Sequence, residues 1–143
     1  MKAKPFLIGF IAVIACVAAV SVYVKLTVER PMKSVTAVAS PDGRYKAVKV
    51  SATLGRSASM CIDTISVFLA IYPDSFAESE KIYDVYAGPC APSALRAVLP
   101  KMQWLSNTAL QITYAPGAGY NDKRRMKTLD ASKFVYVTFE PVK

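Results

Sequence analysis

The chain contains no histidine. An imidazole is the general base of Ser-His-Asp and Cys-His catalysis, and it is a ligand in most zinc sites. The absence of histidine therefore argues against these hydrolase mechanisms and against the usual zinc sites. The serines and lysines are scattered, without a spacing that favours a Ser-Lys dyad. We expect a protein that is not an enzyme, with no catalytic residues, no metal site and no cofactor.

Acidic residues are also scarce, at 10 against 18 lysines and arginines, for a net charge of +8. They do not form a calcium loop, because Asp42 stands alone in a turn and the acidic residues of 74–80 lack the required spacing. A basic balance favours nucleic acid, anionic lipid or an acidic protein as partner. For a chain tethered to a membrane, lipid headgroups and an acidic protein are expected, and nucleic acid is not.

Long hydrophobic runs are missing from the chain after its first segment. Pro5–Val24 reads PFLIGFIAVIACVAAVSVYV, twenty residues without a charge. A helix of about twenty apolar residues spans about 30 Å of hydrocarbon. We therefore predict a signal anchor and transmembrane helix in residues 1–24, followed by a juxtamembrane linker in 25–33 that contains the helix-breaking Pro31.

Two alternatives to an uncleaved anchor stay open. Lys2 and Lys4 provide the basic start of a secretory signal, and Ala19-Val20-Ser21 is a passable cleavage site. Val13-Ile14-Ala15-Cys16 resembles a lipobox, in which Cys16 would be acylated, although the apolar run continues after it. The predicted location is the bacterial inner membrane as a single-pass protein with its C-terminal domain in the periplasm. The alternatives give a lipoprotein or an exported periplasmic protein.

The three cysteines divide between the two parts of the chain. Cys16 lies inside the hydrophobic run, which leaves Cys61 and Cys90 for the soluble part. An exported domain with two cysteines most simply forms one disulfide, whose loop of about 30 residues would contribute about 3–4 kcal/mol of stability. The alternative is two separate buried thiols, because free cysteine packs well as a small hydrophobe.

Residues 34–143 show the two-residue alternation of β-strands, interrupted by turn signals. The clearest turn is Ser40-Pro41-Asp42-Gly43, and Ser93–Leu99 is the one segment that favours a helical turn. The predicted fold class is mainly β: an N-terminal transmembrane helix followed by a small antiparallel β-sheet or sandwich domain of six or seven strands, with at most one short helix. The predicted strands are 34–39, 44–53, 62–72, 81–87, a hairpin over 101–114 and 133–140.

Two motifs resemble a known group of proteins. Ser40-Pro41-Asp42-Gly43-Arg44-Tyr45 and Trp104-Leu105-Ser106-Asn107 resemble hairpins of TolB-type β-propeller blades, but the chain is too short for a propeller and has no 40-residue repeat. Residues 40–50 and 104–114 resemble more closely a group of small bacterial membrane-anchored or lipoprotein-like proteins of unknown function. By analogy with periplasmic proteins of this build, the resemblance implies an immunity protein against a secreted antibacterial toxin.

The strongest electrostatic feature is the basic run 123–127, which follows a glycine-rich loop flanked by Tyr114 and Tyr120. Its simplest interpretation is an ordinary solvated loop. The functional interpretation is a contact surface for anionic lipid or an acidic protein partner, since tyrosine is common in interface anchors. The predicted function is a non-catalytic, membrane-anchored binding module of the cell envelope; the alternatives are the immunity protein and a structural accessory subunit that acts through its transmembrane helix. The candidate contact residues are Lys123, Arg124, Arg125, Lys127, Tyr114 and Tyr120.

Overall fold

The computed structural model describes residues 13–23, 32–53, 61–116 and 123–142. The chain divides into two compact units, Met1–Arg30 and Pro31–Lys143. The second unit contains, in chain order, β1 (Met32–Ala39), β2 (Tyr45–Thr53), β3 (Cys61–Leu69), α2 (Phe76–Ser79), a 3₁₀ turn (Lys81–Tyr83), β4 (Asp84–Pro89), β5 (Lys101–Ser106), β6 (Ala109–Tyr114), β7 (Arg125–Met126) and β8 (Tyr136–Pro141).

In the first unit, residues 13–23 are helical and form α1, in which every residue is exposed and none is charged. The Ser21 hydroxyl donates to the Val17 carbonyl at 2.8 Å, the usual way for a serine to satisfy its hydroxyl within an apolar helix. Within the described residues, no helix has the length and apolar character that a membrane crossing requires. The remainder of the predicted anchor and linker, residues 1–12 and 24–31, lies outside the described residues.

Five strands form an antiparallel sheet in the order β1-β2-β3-β4-β7. The predicted hairpin at its start is confirmed, with β1 beginning at Met32 rather than Ser34. Its turn is held by the Ser40 hydroxyl, which donates to Asp42 at 2.6 Å and accepts the Tyr45 N–H at 3.0 Å. Gly43 has φ +69°, which glycine adopts without steric cost. The hydrogen bonds from Ser40 and from the Arg44 N–H lower the pKa of Asp42.

The other three strands form a second sheet in the order β5-β6-β8. The predicted 101–114 hairpin is confirmed as β5 and β6, which pair antiparallel. The prediction of a purely antiparallel fold is wrong, because β8 pairs with β6 in parallel, from Ala109 opposite Tyr136 to Tyr114 opposite Pro141. A parallel pair needs a long connection, and residues 115–135 supply it.

The two sheets pack face to face around one core. One cluster of buried residues combines Tyr45, Ile65 and Tyr86 of the first sheet with Leu110 and Val137 of the second. Trp104 lies partly buried at the edge of this core, where its indole N–H donates to the Val38 carbonyl at 3.0 Å. The bond links β5 to β1 and fixes one sheet against the other.

The opposite face of the five-stranded sheet carries a smaller core. Val48, Val50 and Phe68 pack there against Ala77 of α2, and Phe76 stacks on Tyr72 with ring centroids 4.7 Å apart. Two ion pairs join this face to the segment around α2: Lys46 with Asp74 at 2.5 Å, and Lys33 with Glu78.

Several predictions of local structure need correction. The described residues contain eight strands, not six or seven, because Arg125–Met126 pairs with β4. The short helix is Phe76–Ser79, and Ser93–Val98, within the segment predicted to favour a helical turn, forms turns. Since Leu99 N–H donates to Leu95 O at 2.9 Å, that segment closes a single helix-like turn that is not continued.

Candidate functional site

The inner face of the five-stranded sheet changes from apolar to polar along the strands. In an antiparallel sheet, residues directly opposite each other share a face, as do residues two apart. Tyr45 and Ala47 of β2 lie in the core, and the same face of β2 continues with Lys49 and then two hydroxyl residues. The residues beside this part of β2, on β1 and β3, are also polar. The polar positions are Ser34 and Thr36 of β1, Lys49, Ser51 and Thr53 of β2, and Asp63 of β3.

This polar half of the inner face lies in a cleft of about 320 Å³, the β1–β2 cleft. Arg96 and Ala97, from the turns that precede β5, also line it. Lys33 is engaged with Glu78, so Lys49 and Arg96 are the basic groups that give the cleft its positive charge. Among the described residues, no acidic side chain lines it. The lining residues are Met32, Lys33, Ser34, Thr36, Lys49, Ser51, Thr53, Cys61, Arg96 and Ala97.

Asp63 is a buried carboxyl group beside this cleft, with 1% of its surface exposed. The Ser51 hydroxyl donates to its Oδ1, whereas Oδ2 has no hydrogen-bond partner among the described residues. Burial raises the pKa of Asp63, and the Ser51 bond and the charges of Lys49 and Arg96 offset only part of that effect. A buried carboxylate with an unpaired oxygen is costly, so the neutral, protonated form is favoured relative to a carboxyl in water.

The predicted disulfide between Cys61 and Cys90 is confirmed, with the Cα atoms 5.3 Å apart. Cys61 opens β3 and Cys90 follows β4, and the Cys90 N–H donates to the Cys61 carbonyl at 3.1 Å. The disulfide therefore lies directly beyond the last paired residues of β3 and β4 and joins the ends of these two strands covalently. The two sulfurs and an Asp63 oxygen lie within 4.8 Å of one another. This is a metal-ligand set by residue type, but sulfurs that are bonded to each other offer no thiolate to a metal.

A second cleft, the Cys90 cleft, has a volume of about 290 Å³. Cys61 lines the first cleft and Cys90 the second, and Arg96 lines both. Arg124 adds a second guanidinium to the Cys90 cleft, with its centre 5.1 Å from the centroid of the Tyr114 ring. The remaining lining residues are Pro89, Ala91, Pro92, Ala115 and Pro116.

The basic run that the sequence singled out is folded against the edge of the five-stranded sheet. Arg125 lies 3.4 Å from the buried carboxylate of Asp84, and the Lys127 amine is 3.5 Å from the Ile82 carbonyl. Lys123 is exposed, and Arg124 with Tyr114 lies beside the Cys90 cleft. Tyr120 lies outside the described residues. That these residues contact a partner or lipid stays a prediction.

Lys49, Asp63 and Arg96 were not predicted as site residues. A signal for Lys49 was present in β2, where Tyr45 and Ala47 are followed on the same face by Lys49, Ser51 and Thr53, while the other face stays apolar at Val48 and Val50. Such a change along one face indicates that the core ends there. For Arg96 there was no local signal, because its position depends on how the turns before β5 pack.

Comparison of the chain with protein-family models, with curated proteins and with solved structures finds no match to any of them. A functional assignment therefore depends on the two clefts and their charge.

Proposed function

We propose that this protein is a non-catalytic binding module of the bacterial cell envelope, whose two clefts bind an acidic segment of a partner protein. The observation that carries the proposal is the inner face of the five-stranded sheet, which is apolar under the second sheet and turns polar and basic at Lys49. The second sheet covers only the apolar part of that face. Beyond it, the basic side chains of Lys49 and Arg96 line an open cleft.

The arrangement of charge supports an acidic ligand. Lys49 and Arg96 line the β1–β2 cleft, and Arg96 and Arg124 line the Cys90 cleft, so each cleft has two basic groups besides the paired Lys33. Basic groups in a concave site focus the field and speed the encounter with an acidic partner. Arginine also binds a carboxylate through two parallel hydrogen bonds, which adds orientation to attraction.

Membrane attachment is the second part of the proposal. The uncharged and exposed α1 lies inside the apolar run Pro5–Val24, which has the length of a membrane helix. An exposed apolar helix is more stable in lipid than in water. The protein is therefore proposed to be a single-pass inner-membrane protein with the β-rich unit in the periplasm, where the Cys61–Cys90 disulfide persists.

The test is site-specific photocrosslinking of the full chain in its own membrane. A photoreactive residue in place of Ala97, in the β1–β2 cleft, is expected to form one dominant adduct whose crosslinked peptide is rich in Asp and Glu. The matched control carries the same residue in place of Leu105, which is 57% exposed on β5 and lines neither cleft. Equal adducts at the two positions, or a crosslinked peptide without acidic residues, would contradict the proposal.

The same crosslinking experiment distinguishes this proposal from the alternative of a structural subunit that acts through its membrane helix. Replacing residues 5–24 by an unrelated single-pass anchor should leave the Ala97 adduct unchanged, because the clefts belong to the second unit. Loss of the adduct after the swap would assign recognition to the anchor. An adduct with a secreted toxin would make this an immunity protein.

A further inference from the structure

The disulfide, the buried carboxyl group and the two clefts form one local arrangement. Cys61 is 7% exposed, whereas Cys90 is partly exposed and lines the Cys90 cleft. The Cys61 and Cys90 sulfurs lie within 4.8 Å of an oxygen of Asp63. A disulfide that served stability alone would need neither a cleft at one of its cysteines nor a buried acid beside its sulfurs.

We propose that Cys61–Cys90 is an exchange-active disulfide: the thiolate of a small anionic thiol enters the Cys90 cleft and attacks Cys90 Sγ, while Asp63 donates a proton to the Cys61 sulfur that leaves. This inference goes beyond the proposed binding function and does not depend on it, because it concerns the sulfur chemistry and not the partner.

The direction of attack follows from access and charge. Exchange requires a thiolate to reach one sulfur, and the Cys90 cleft leads to Cys90. Arg96 and Arg124 line that cleft and attract an anionic thiol. The volume of about 290 Å³ suits a small molecule rather than a folded domain.

Cys61 Sγ is the leaving sulfur, because the groups around it can stabilise the electron pair that it accepts. The Thr53 hydroxyl donates to Cys61 Sγ at 3.6 Å, a hydrogen bond that strengthens as negative charge develops on the sulfur. Asp63 Oδ2 has no hydrogen-bond partner among the described residues, and an oxygen of Asp63 lies within 4.8 Å of both sulfurs, so the carboxyl group can deliver a proton to Cys61 Sγ when that sulfur leaves. The groups that interact with Asp63 are the Ser51 hydroxyl and the charges of Lys49 and Arg96, and burial outweighs them in raising its pKa.

The step balances in atoms and electrons. The incoming thiolate forms a new S–S bond to Cys90, the electron pair of the old S–S bond passes to Cys61 Sγ, and the proton of Asp63 converts that sulfur to a thiol. Asp63 is left as a carboxylate. In the reverse step Cys61 returns its proton to Asp63, attacks Cys90 Sγ as a thiolate and releases the small molecule as a thiolate. No oxidant or reductant other than the thiol is required.

The first test measures exchange in the full chain in detergent, with reduced glutathione as the thiol. Mixed disulfide is quantified by alkylation and peptide mass mapping, and each rate is divided by the glutathione thiolate concentration. The corrected rate constant of the wild type should fall as the pH is raised and Asp63 ionises. That of Asp63→Asn should be flat and, at the lowest pH of the series, lower by about tenfold or more, since general-acid assistance commonly gives larger factors.

The matched control is Asp84→Asn. Asp84 is also 1% exposed and also accepts a hydrogen bond from a serine, Ser66 at 2.8 Å, but it is not part of the disulfide cluster. Its variant should keep the pH profile of the wild type. Identical profiles for the wild type and Asp63→Asn would overturn the role of Asp63, and so would loss of the profile in Asp84→Asn.

A second measurement fixes the direction of attack without any substitution. Quenching the wild-type reaction early and mapping the peptides should place glutathione on Cys90, with Cys61 recovered as the alkylated thiol and Cys16 resolved as a separate peptide. Glutathione on Cys61 would overturn the proposal. Raising the salt concentration from 0.05 to 0.5 M should slow exchange with glutathione several-fold and slow exchange with 2-mercaptoethanol less, because the glutathione thiolate carries net negative charge beyond that of its sulfur. Equal salt effects on the two thiols would overturn the role of the arginines.

Discussion

The disulfide should make a large and measurable contribution to the stability of the β-rich unit. Cys61 and Cys90 are separated by 29 residues, and in the chain-entropy model a loop of this length is worth about 3.6 kcal/mol. The double variant Cys61→Ala/Cys90→Ala should lose that amount. With a urea dependence of about 1.5 kcal/mol per molar, which is usual for a small domain, the unfolding midpoint should fall by about 2.4 M.

Trp104 reports this unfolding directly. It is the only tryptophan in the chain, and it lies partly buried between the two sheets, so its fluorescence follows the β-rich unit alone. The control is Cys16→Ala, which lies in the other unit and should leave the midpoint unchanged. A loss below about 1 kcal/mol in the double variant would refute the reasoning from loop length.

Three further outcomes are expected. Trp104→Phe should lower the free energy of unfolding by about 1 kcal/mol in urea titrations, because it removes the bond to the Val38 carbonyl; an unchanged midpoint would show that this bond is not stabilising. Below pH 3.8, the ordinary pKa of an aspartate, the free energy of unfolding of the wild type relative to Asp63→Asn should be highest. This difference should decline as the pH rises through the raised pKa of folded Asp63. A difference that grows with pH would mean that folding lowers the pKa of Asp63. Removing residues 1–24 should move the protein from the membrane pellet to the supernatant, and persistence in the pellet would locate the attachment elsewhere.

The two hairpins could be predicted because their determinants are local. Ser40-Pro41-Asp42-Gly43 contains both the hydrogen-bonding side chains and the residue at positive φ that its turn needs. The β5–β6 turn is similarly short, with the Thr108 N–H bonded to the Ser106 hydroxyl at 3.3 Å. In each case the flanking residues alternate, so neighbours in sequence define the pairing.

Pairings between distant segments could not be predicted in the same way. In the sequence, Arg125–Met126 is part of a basic loop. In the structure it is held beside β4, where the Lys127 N–H donates to the Val85 carbonyl at 2.8 Å and Arg125 forms an ion pair with Asp84. The parallel pairing of β6 and β8 depends likewise on a connection of some twenty residues. Neither has a signature within a window of ten residues.

Only part of the candidate site could be predicted from the sequence. The pairing of Cys61 with Cys90 followed from the count of cysteines and the inference of export. The position of Asp63 opposite Ser51 requires the register of β2 and β3, and a shift of one residue would place Asp63 on the other face. A buried acid beside a disulfide is therefore a property of the register and not of any motif.

The most direct test of the proposed function is the affinity of the full chain for the partner captured through the Ala97 crosslink. The double variant Lys49→Glu/Arg96→Glu should weaken binding by on the order of tenfold or more, mainly at low salt, because it reverses the charge of Lys49 in the β1–β2 cleft and of the arginine that both clefts share. Lys81→Glu/Lys101→Glu changes the net charge equally at exposed positions outside the clefts and should bind as the wild type does. Equal weakening by the two double variants would contradict recognition in the clefts and reduce it to net charge.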